Sequence, residues 1–285
     1  MNCRILILLC GLISAWGAQA EERILDMRDG TVISREQLVQ AIAGSDFILL
    51  GELHDSRHHH QRRGELLDSL NQFAPTLVAE HLEIGRTFVS SGNLQGDLEQ
   101  AGFDAKGWRW PLHQPLFAAA VAADMPLLGG NIPRATAKNA VREGVAALPA
   151  DLAELIAQAP LDPAAQDKLD ADLLRGHCGY LDNTMLSGLR LAQRARDAAM
   201  FSALRGATTR PAVLVAGNGH VRRDYGVPSL IRRHLPDSRY TSIGFLEDTP
   251  KLQGDLAELA AQYDYLWITA PIERNDPCES FKSRK

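Results

Sequence analysis

The segment "LLGELHDSRHHHQRRGELL" (Leu49–Leu67) places Glu52, His54, Asp55, His58, His59 and His60 directly behind an apolar run. The whole chain has nine histidines, so four in one short segment ask for a chemical reason. Imidazole near neutral pH moves protons and ligates metals. Gly51-x-x-His54 recurs as Gly217-x-x-His220, again directly after an apolar run. Glycine lets the chain turn sharply and approach a neighbour closely, and a histidine three residues on can swing back over the end of the run. Glu52 and Glu80 add carboxylates. Catalytic metal sites use about three protein ligands and leave a position for water. One reading of Glu52, His54, Glu80 and His220 is therefore a divalent-metal site of a hydrolase. In it His54, His220 and Glu80 hold the ion and Glu52 is the general base. The plainer reading is a buried His–Glu hydrogen-bond network that only holds loops together.

Asp55 or Ser56 can cap a helix starting near Arg57, which puts His58, His59 and His60 in its first turn. A positive charge there opposes the helix dipole, so these imidazoles are expected to be neutral. His59 shares a stripe with Arg63, Leu66 and Leu70 and is expected to point inward, whereas His58 and His60 lie off it. Two further segments carry chemistry. "HCGYLDNTM" brings His177, Cys178 and Tyr180 ahead of a long amphipathic pattern, and "HVRRDYGVP" brings Arg222, Arg223 and Tyr225 after His220. Tyrosinate binds ferric haem iron, and arginine pairs with carboxylates. "WRWPLHQPLF" places His113 near the same rim, with its tryptophans read as core. The signatures of serine hydrolases, P-loop NTPases and zincins (G-x-S-x-G, G-x-x-x-x-G-K-[ST], H-E-x-x-H) do not occur.

These residues need a scaffold that brings them together. "DFILLGE", "PTLVAEH", "MPLLGGN", "PAVLVAGNGH", "RYTSIGFLE" and "DYLWITA" are short continuous apolar runs, and helical patterns separate the first four. That rhythm predicts an α/β fold with a mainly parallel sheet flanked by helices. "RILDMRDGTVIS" reads as a hairpin around Asp29-Gly30. The stretch from about 136 to 176 is helical, falls outside the rhythm, and is expected to be an insertion or cap. Open parallel sheets bind ligands beyond the carboxyl ends of their strands. Here four runs end in Glu52/His54, Glu80/His81, Asn131 and Asn218/His220, all expected on one rim.

The first twenty residues have the charge, apolar core and A-x-A ending of a secretory signal. The mature chain is expected to start at Glu21, with 21–285 forming one domain. The expected location is outside the cytoplasm, periplasmic or associated with the outer membrane. A lipid anchor at Cys10 is the weaker reading, because Leu9 precedes it. Export leaves Cys178 and Cys278, an even pair for which a disulfide is the default. A formal net charge of −5 with no basic stripe argues against a nucleic-acid partner.

"LLGELHDSRHHH", "LVAEHLE", "HCGYLDNTM…AQRARDAAM", "AGNGHVRRDYGVP" and "DYLWIT…DPCE" together resemble the ChaN family of haem-binding, iron-regulated exported proteins. That family is a branch of the Tiki/TraB/EreA-like superfamily, whose members share paired G-x-x-H motifs. The resemblance implies haem bound between two protomers, with a tyrosine on the iron and basic residues on the propionates. It maps the motif histidines to His54 and His220 and the family acid to Glu52 or Glu80. The axial tyrosine maps to Tyr225 first and Tyr180 second. His59, His177, Arg222 and Arg223 are the expected supporting groups. The reading it favours is a haem binder of haem-iron uptake acting as a homodimer, with an outer-membrane haem receptor or a haem transporter as partner. The metal-dependent hydrolase is the alternative.

Overall fold

The computed structural model describes residues 22–250, 252, 255–276 and 278–279. The expected signal segment 1–20 lies outside them. The chain opens with the hairpin β1 (Arg23–Asp26) and β2 (Thr31–Ile33), paired antiparallel with Ile24 opposite Ile33. Gly30 supplies the turn's left-handed residue, at φ +75°. Helix α1 (Arg35–Ile42) follows, with Ser34 and Gln37 forming a reciprocal capping box.

The six apolar runs are six strands: β3 (Phe47–Leu50), β4 (Thr76–Glu83), β5 (Leu127–Asn131), β6 (Ala212–Val215), β7 (Tyr240–Glu247) and β8 (Tyr265–Thr269). The sheet order is β2-β1-β8-β7-β3-β6-β4-β5. From β8 to β5 every neighbouring pair is parallel, and only β1 runs against the other strands, antiparallel to both β8 and β2. The fold is thus α/β with a mainly parallel sheet, as the sequence pattern predicts. Every residue of β3 and β6 is buried, which is what a strand covered on both faces requires.

Alternation of side chains divides the core between the two faces. Ile48, Leu50, Val213 and Val215 pack with Leu66, Leu67 and Leu70 of α2 (Arg57–Leu70) and with Phe117 of α4 (Gln114–Ala122). In chain order α3 (Leu94–Gln100) comes between β4 and α4. On the other face Leu49 and Leu214 belong to a cluster with Ala198, Met200 and Phe201 of the long α8 (Asn183–Gly206). The expected helical insertion is α5 (Arg134–Glu143), α6 (Ala150–Gln158) and α7 (Pro163–Gly176). These three pack on α8, which itself lies on the sheet. Short α9 (Asn218–Val221), α10 (Val227–His234) and α11 (Leu256–Ala260) complete the described helices. No helix among the described residues is long and apolar enough to cross a membrane.

Beyond β8 the chain doubles back along the rim. Arg274 there bonds both Asp55 (3.0 Å) and Glu247 (2.9 Å). Cys278 is joined to Cys178 by a disulfide spanning 100 residues of sequence. The cysteine pairing read from the sequence is the one found.

Candidate functional site

Strands β3, β6 and β4 are neighbours, and their carboxyl ends carry the chemistry. β3 delivers the chain to Gly51, where a Cβ would lie 2.1 Å from Asn218 Oδ1. Asn218 is held in that place, because its amide donates to Phe245 O (2.7 Å) and its Oδ1 accepts from Phe245 N (3.1 Å). The second motif is built the same way in reverse: a Cβ on Gly217 would lie 2.9 Å from His54 Nε2. Each motif's glycine makes room for a side chain of the other. The backbone N–H of Asn218 donates to Glu52 O (2.9 Å), so the two G-x-x-H segments form one interlocked unit.

Glu52 is the hub of a buried cluster. Its Oε1 accepts from His54 Nδ1 (2.6 Å) and His81 Nε2 (3.1 Å). Its Oε2 holds the Arg63 guanidinium and lies 3.3 Å from His60 Nδ1. His60 donates from Nε2 to His54 O (3.0 Å) and accepts at Nδ1 from Arg63 (2.9 Å). His113, in the turn before α4, stacks on His60 with ring centroids 3.9 Å apart and lies 4.5 Å from the His81 ring. Trp108 closes the cluster, 4.5 Å from His81 and 5.0 Å from His54. Burial lowers His59 and His60 to about 4. It holds His81 and His113 down as well, helped by neighbouring positive charge. All four imidazoles are therefore neutral at pH 7.

A second cluster adjoins the first. Glu80 Oε2 accepts the Gly217 amide (2.7 Å), and its Oε1 lies 3.4 Å from His220 Nε2. His220 Nδ1 donates to Asp197 Oδ1 of α8 (2.7 Å). Burial alone would depress His220, but Glu80 and Asp197 on its two sides outweigh it and push the pKa up to about 9. In turn His220 and His54 hold Glu80 well below the usual carboxylate range against its own burial.

His54 stands between the two clusters and is the member open to solvent, with 48% of its side chain exposed while Glu52 is fully covered. A half-exposed imidazole oriented by a buried carboxylate is the arrangement of a general base. Beside it lies a cleft of about 260 Å³ lined by Glu80, His81, Trp108, Asn131, Arg134 and Arg196.

The sequence model of the family described as haem-binding uptake, Tiki superfamily, ChaN matches residues 38–231. The chain belongs to that family. The matched span runs from α1 to α10 and takes in both G-x-x-H motifs and every residue of the two clusters. No curated protein matches the chain. Among solved structures, ChaN of Campylobacter jejuni, described with cofacial haem binding, superposes with a TM-score of 0.67 at 18% identity. That match covers 86% of this chain and 95% of the other, and at this identity it establishes a shared fold. A mutant of the erythromycin esterase EreC in its open conformation matches at a TM-score of 0.42 and 12% identity, over 92% of this chain and 86% of that one.

The structure of this ChaN-family chain sorts the residues singled out from sequence. His54, His220, Glu52 and Glu80 come together on one rim. His54, Glu80 and His220 do not bring three ligand atoms within 4.8 Å of one another. Among the described residues, the three groups whose ligand atoms all lie within 4.8 Å are Glu52, His81 and His113. His59 is buried as expected, yet it serves the loop, accepting Leu53 N at Nδ1 (2.9 Å) and packing on Phe245. His60 departs from its expected place off the inward stripe. The loop after β3 and helix α4 cover the first turn of α2 on a second side, so His60 is as buried as His59. Ser56 sits at the helix N-cap but makes no side-chain cap bond.

Tyr225 is 2% exposed, and its hydroxyl donates to Asp172 Oδ2 (2.5 Å) beneath the Arg222 guanidinium. Burial raises its pKa, which keeps the phenol protonated. Arg222 is buried between Asp172 (2.8 Å) and Asp224 (2.6 Å), and Arg223 pairs with Asp264 (3.1 Å). His177 donates from Nδ1 to Leu173 O (2.8 Å) at the end of α7. Tyr180, by contrast, is 45% exposed in the disulfide-tied loop before α8, near the equally exposed Met185. Of the two candidate tyrosines it is the exposed one. Trp108 packs against the core, as expected, and also meets His54 and His81; Asp197 is a site residue with no expectation from sequence. Asp197 and Gln193, one turn apart on α8, both reach His220, a contact that the sequence alone does not signal.

Proposed function

We propose that this chain is an exported haem-binding protein of haem-iron uptake, periplasmic or associated with the outer membrane. It carries haem as cargo on Tyr180 at the interface of a homodimer. Family membership supports the haem. The observation that carries the ligand assignment is the contrast between the two tyrosines: Tyr225 is enclosed on Asp172, and Tyr180 is exposed. Tyrosinate is a hard anionic ligand suited to ferric haem iron. Tyr180 and Met185, both exposed, would contact one porphyrin face, and a second protomer would cover the other. Arg175 of α7 and Arg190 of α8, paired with Asp172 and Asp170, flank the Tyr180 loop in sequence and are the cations offered to the propionates. A haem receptor or transporter is the partner this role requires. Haemin titration of wild type, Tyr180→Phe and Tyr225→Phe tests the assignment. A five-coordinate, high-spin ferric spectrum is expected in wild type and Tyr225→Phe and lost in Tyr180→Phe. Free-haemin absorbance with the wild-type protein would end the haem reading.

One observation supports hydrolysis as a second reading: His54, backed by Glu52 at 2.6 Å, opens beside a cleft. There it would act as a base toward water. Ester turnover abolished by His54→Asn, with haemin binding unchanged, is the result that reading expects.

A further inference from the structure

Glu52, His81 and His113 reach one point from three separate segments: the loop after β3, strand β4 and the turn before α4. All three are buried, and one ligand atom of each lies within 4.8 Å of the others. Glu52 Oε1 is 3.1 Å from His81 Nε2 and 3.6 Å from His113 Nε2. Two donors of a tetrahedral site with bonds of about 2.0–2.1 Å stand about 3.3 Å apart. The two observed separations bracket that spacing. His113 is unpartnered at both ring nitrogens and His81 at Nδ1, although buried polar atoms in folded proteins are nearly always paired.

We propose that Glu52 Oε1, His81 Nε2 and His113 Nε2 form a buried binding site for a divalent first-row transition ion of the zinc or iron(II) type. Two imidazoles and one carboxylate suit such ions, whereas calcium and magnesium take oxygen ligands. On binding, the proton that His81 Nε2 shares with Oε1 is carried on Nδ1 instead, and Nε2 turns its lone pair to the ion. Arg63 remains on the other carboxylate oxygen, bonded to His60. Its charge opposes the ion. Glu80, whose negative charge acts on both Arg63 and His81, offsets part of that repulsion. His81 and Trp108 also line the cleft, which gives the ion a route in. The site shares no residue with Tyr180 and stands whether or not the haem reading does. Its bearing on the rim is direct, since an ion on Oε1 fixes the carboxylate that orients His54.

Chelator-treated full-length protein titrated with Co²⁺ alone tests this. One equivalent per chain, with the visible bands of low-coordinate cobalt and displacement by Zn²⁺, is the expected result. His81→Gln and His113→Gln are expected to weaken binding at least tenfold, and His58→Gln to leave it unchanged. An anomalous peak among the three residues in crystals of wild-type protein soaked in Zn²⁺ is expected independently of how any variant folds. No Co²⁺ uptake by the wild type, uptake that survives both His81→Gln and His113→Gln, or a peak elsewhere would overturn the proposal.

Discussion

His54 Nε2 occupies the space that a β-carbon on Gly217 would need, 2.9 Å from its ideal position. Gly217 itself has φ −58° and ψ 149°, an extended conformation open to any residue. The glycine is therefore demanded by contact and not by backbone strain. Gly217→Ala is expected to leave the backbone in place, to push His54 off Glu52, and to cost about 1–3 kcal/mol as an overpacking change. Denaturant unfolding gives the cost, and the His54 imidazole resonances report the displacement. Gly51→Ala is expected to be the harsher change, because the atom in its way belongs to Asn218, which holds Phe245 by two hydrogen bonds. Unchanged His54 resonances in Gly217→Ala would refute the interlock.

The buried histidines pull stability in opposite directions with pH. His59 and His60 have folded pKa values of about 4 against an ordinary 6.5, through burial. Below 6.5 the unfolded chain takes up protons that the folded chain refuses. Their contribution is complete above 6.5 and is lost as the pH falls through 4. His220 is raised to about 9 by Glu80 and Asp197 against its burial. Its contribution is complete below 6.5 and is lost as the pH rises through 9. At about 1.36 kcal/mol per unit, the His220 limb amounts to about 3 kcal/mol. Unfolding free energy measured against pH is expected to peak near neutrality. His220→Gln is expected to flatten the alkaline limb and leave the acid limb standing, and the reverse pattern would contradict the assignment.

Arg222 was an obvious propionate ligand in sequence, and the structure gives it other work. It is buried between Asp172 and Asp224 and covers Tyr225. Breaking a buried, multiply bonded ion pair from one side costs about 3–5 kcal/mol. Arg222→Ala is expected to lower stability by that order in chemical denaturation while the folded protein binds haemin with unaltered affinity. A stable Arg222→Ala protein with weakened haemin binding would return the residue to the ligand site.

What could be read in advance followed from local regularity. The six strands were legible because each is a continuous apolar run ended by a polar or glycine residue. The rim was legible because parallel strands put those ends on one side. The hub was not. His81 and His113 lie far apart in sequence and meet Glu52 only once α4 is laid on the sheet. His60 departs from a single-stripe pattern because the first turn of α2 is covered on two sides. Tyr225 ranked above Tyr180 because its loop follows a G-x-x-H motif. Nothing local shows that Asp172, from the helical insertion, encloses its hydroxyl.

The position of Tyr180 depends on the cross-link two residues before it. Cys178 adopts a left-handed φ of +57°, unusual for a residue other than glycine, and Gly179 follows at +74°. The disulfide ties this bend to the tail that Arg274 fastens to Asp55 and Glu247. Closing a loop of 100 residues restricts the unfolded chain by about 4.7 kcal/mol in the chain-entropy account, and measured values run about 2–5. Cys178→Ser combined with Cys278→Ser is thus expected to lower the melting temperature markedly. At temperatures where the variant is still folded, the freed loop must be ordered by the ligand itself, so haemin affinity is expected to fall several-fold. Arg274→Ala, which loosens the tail but keeps the cross-link, is expected to have the smaller effect on haemin. Equal haemin affinity in the oxidised and cysteine-free proteins would show that the cross-link serves stability alone.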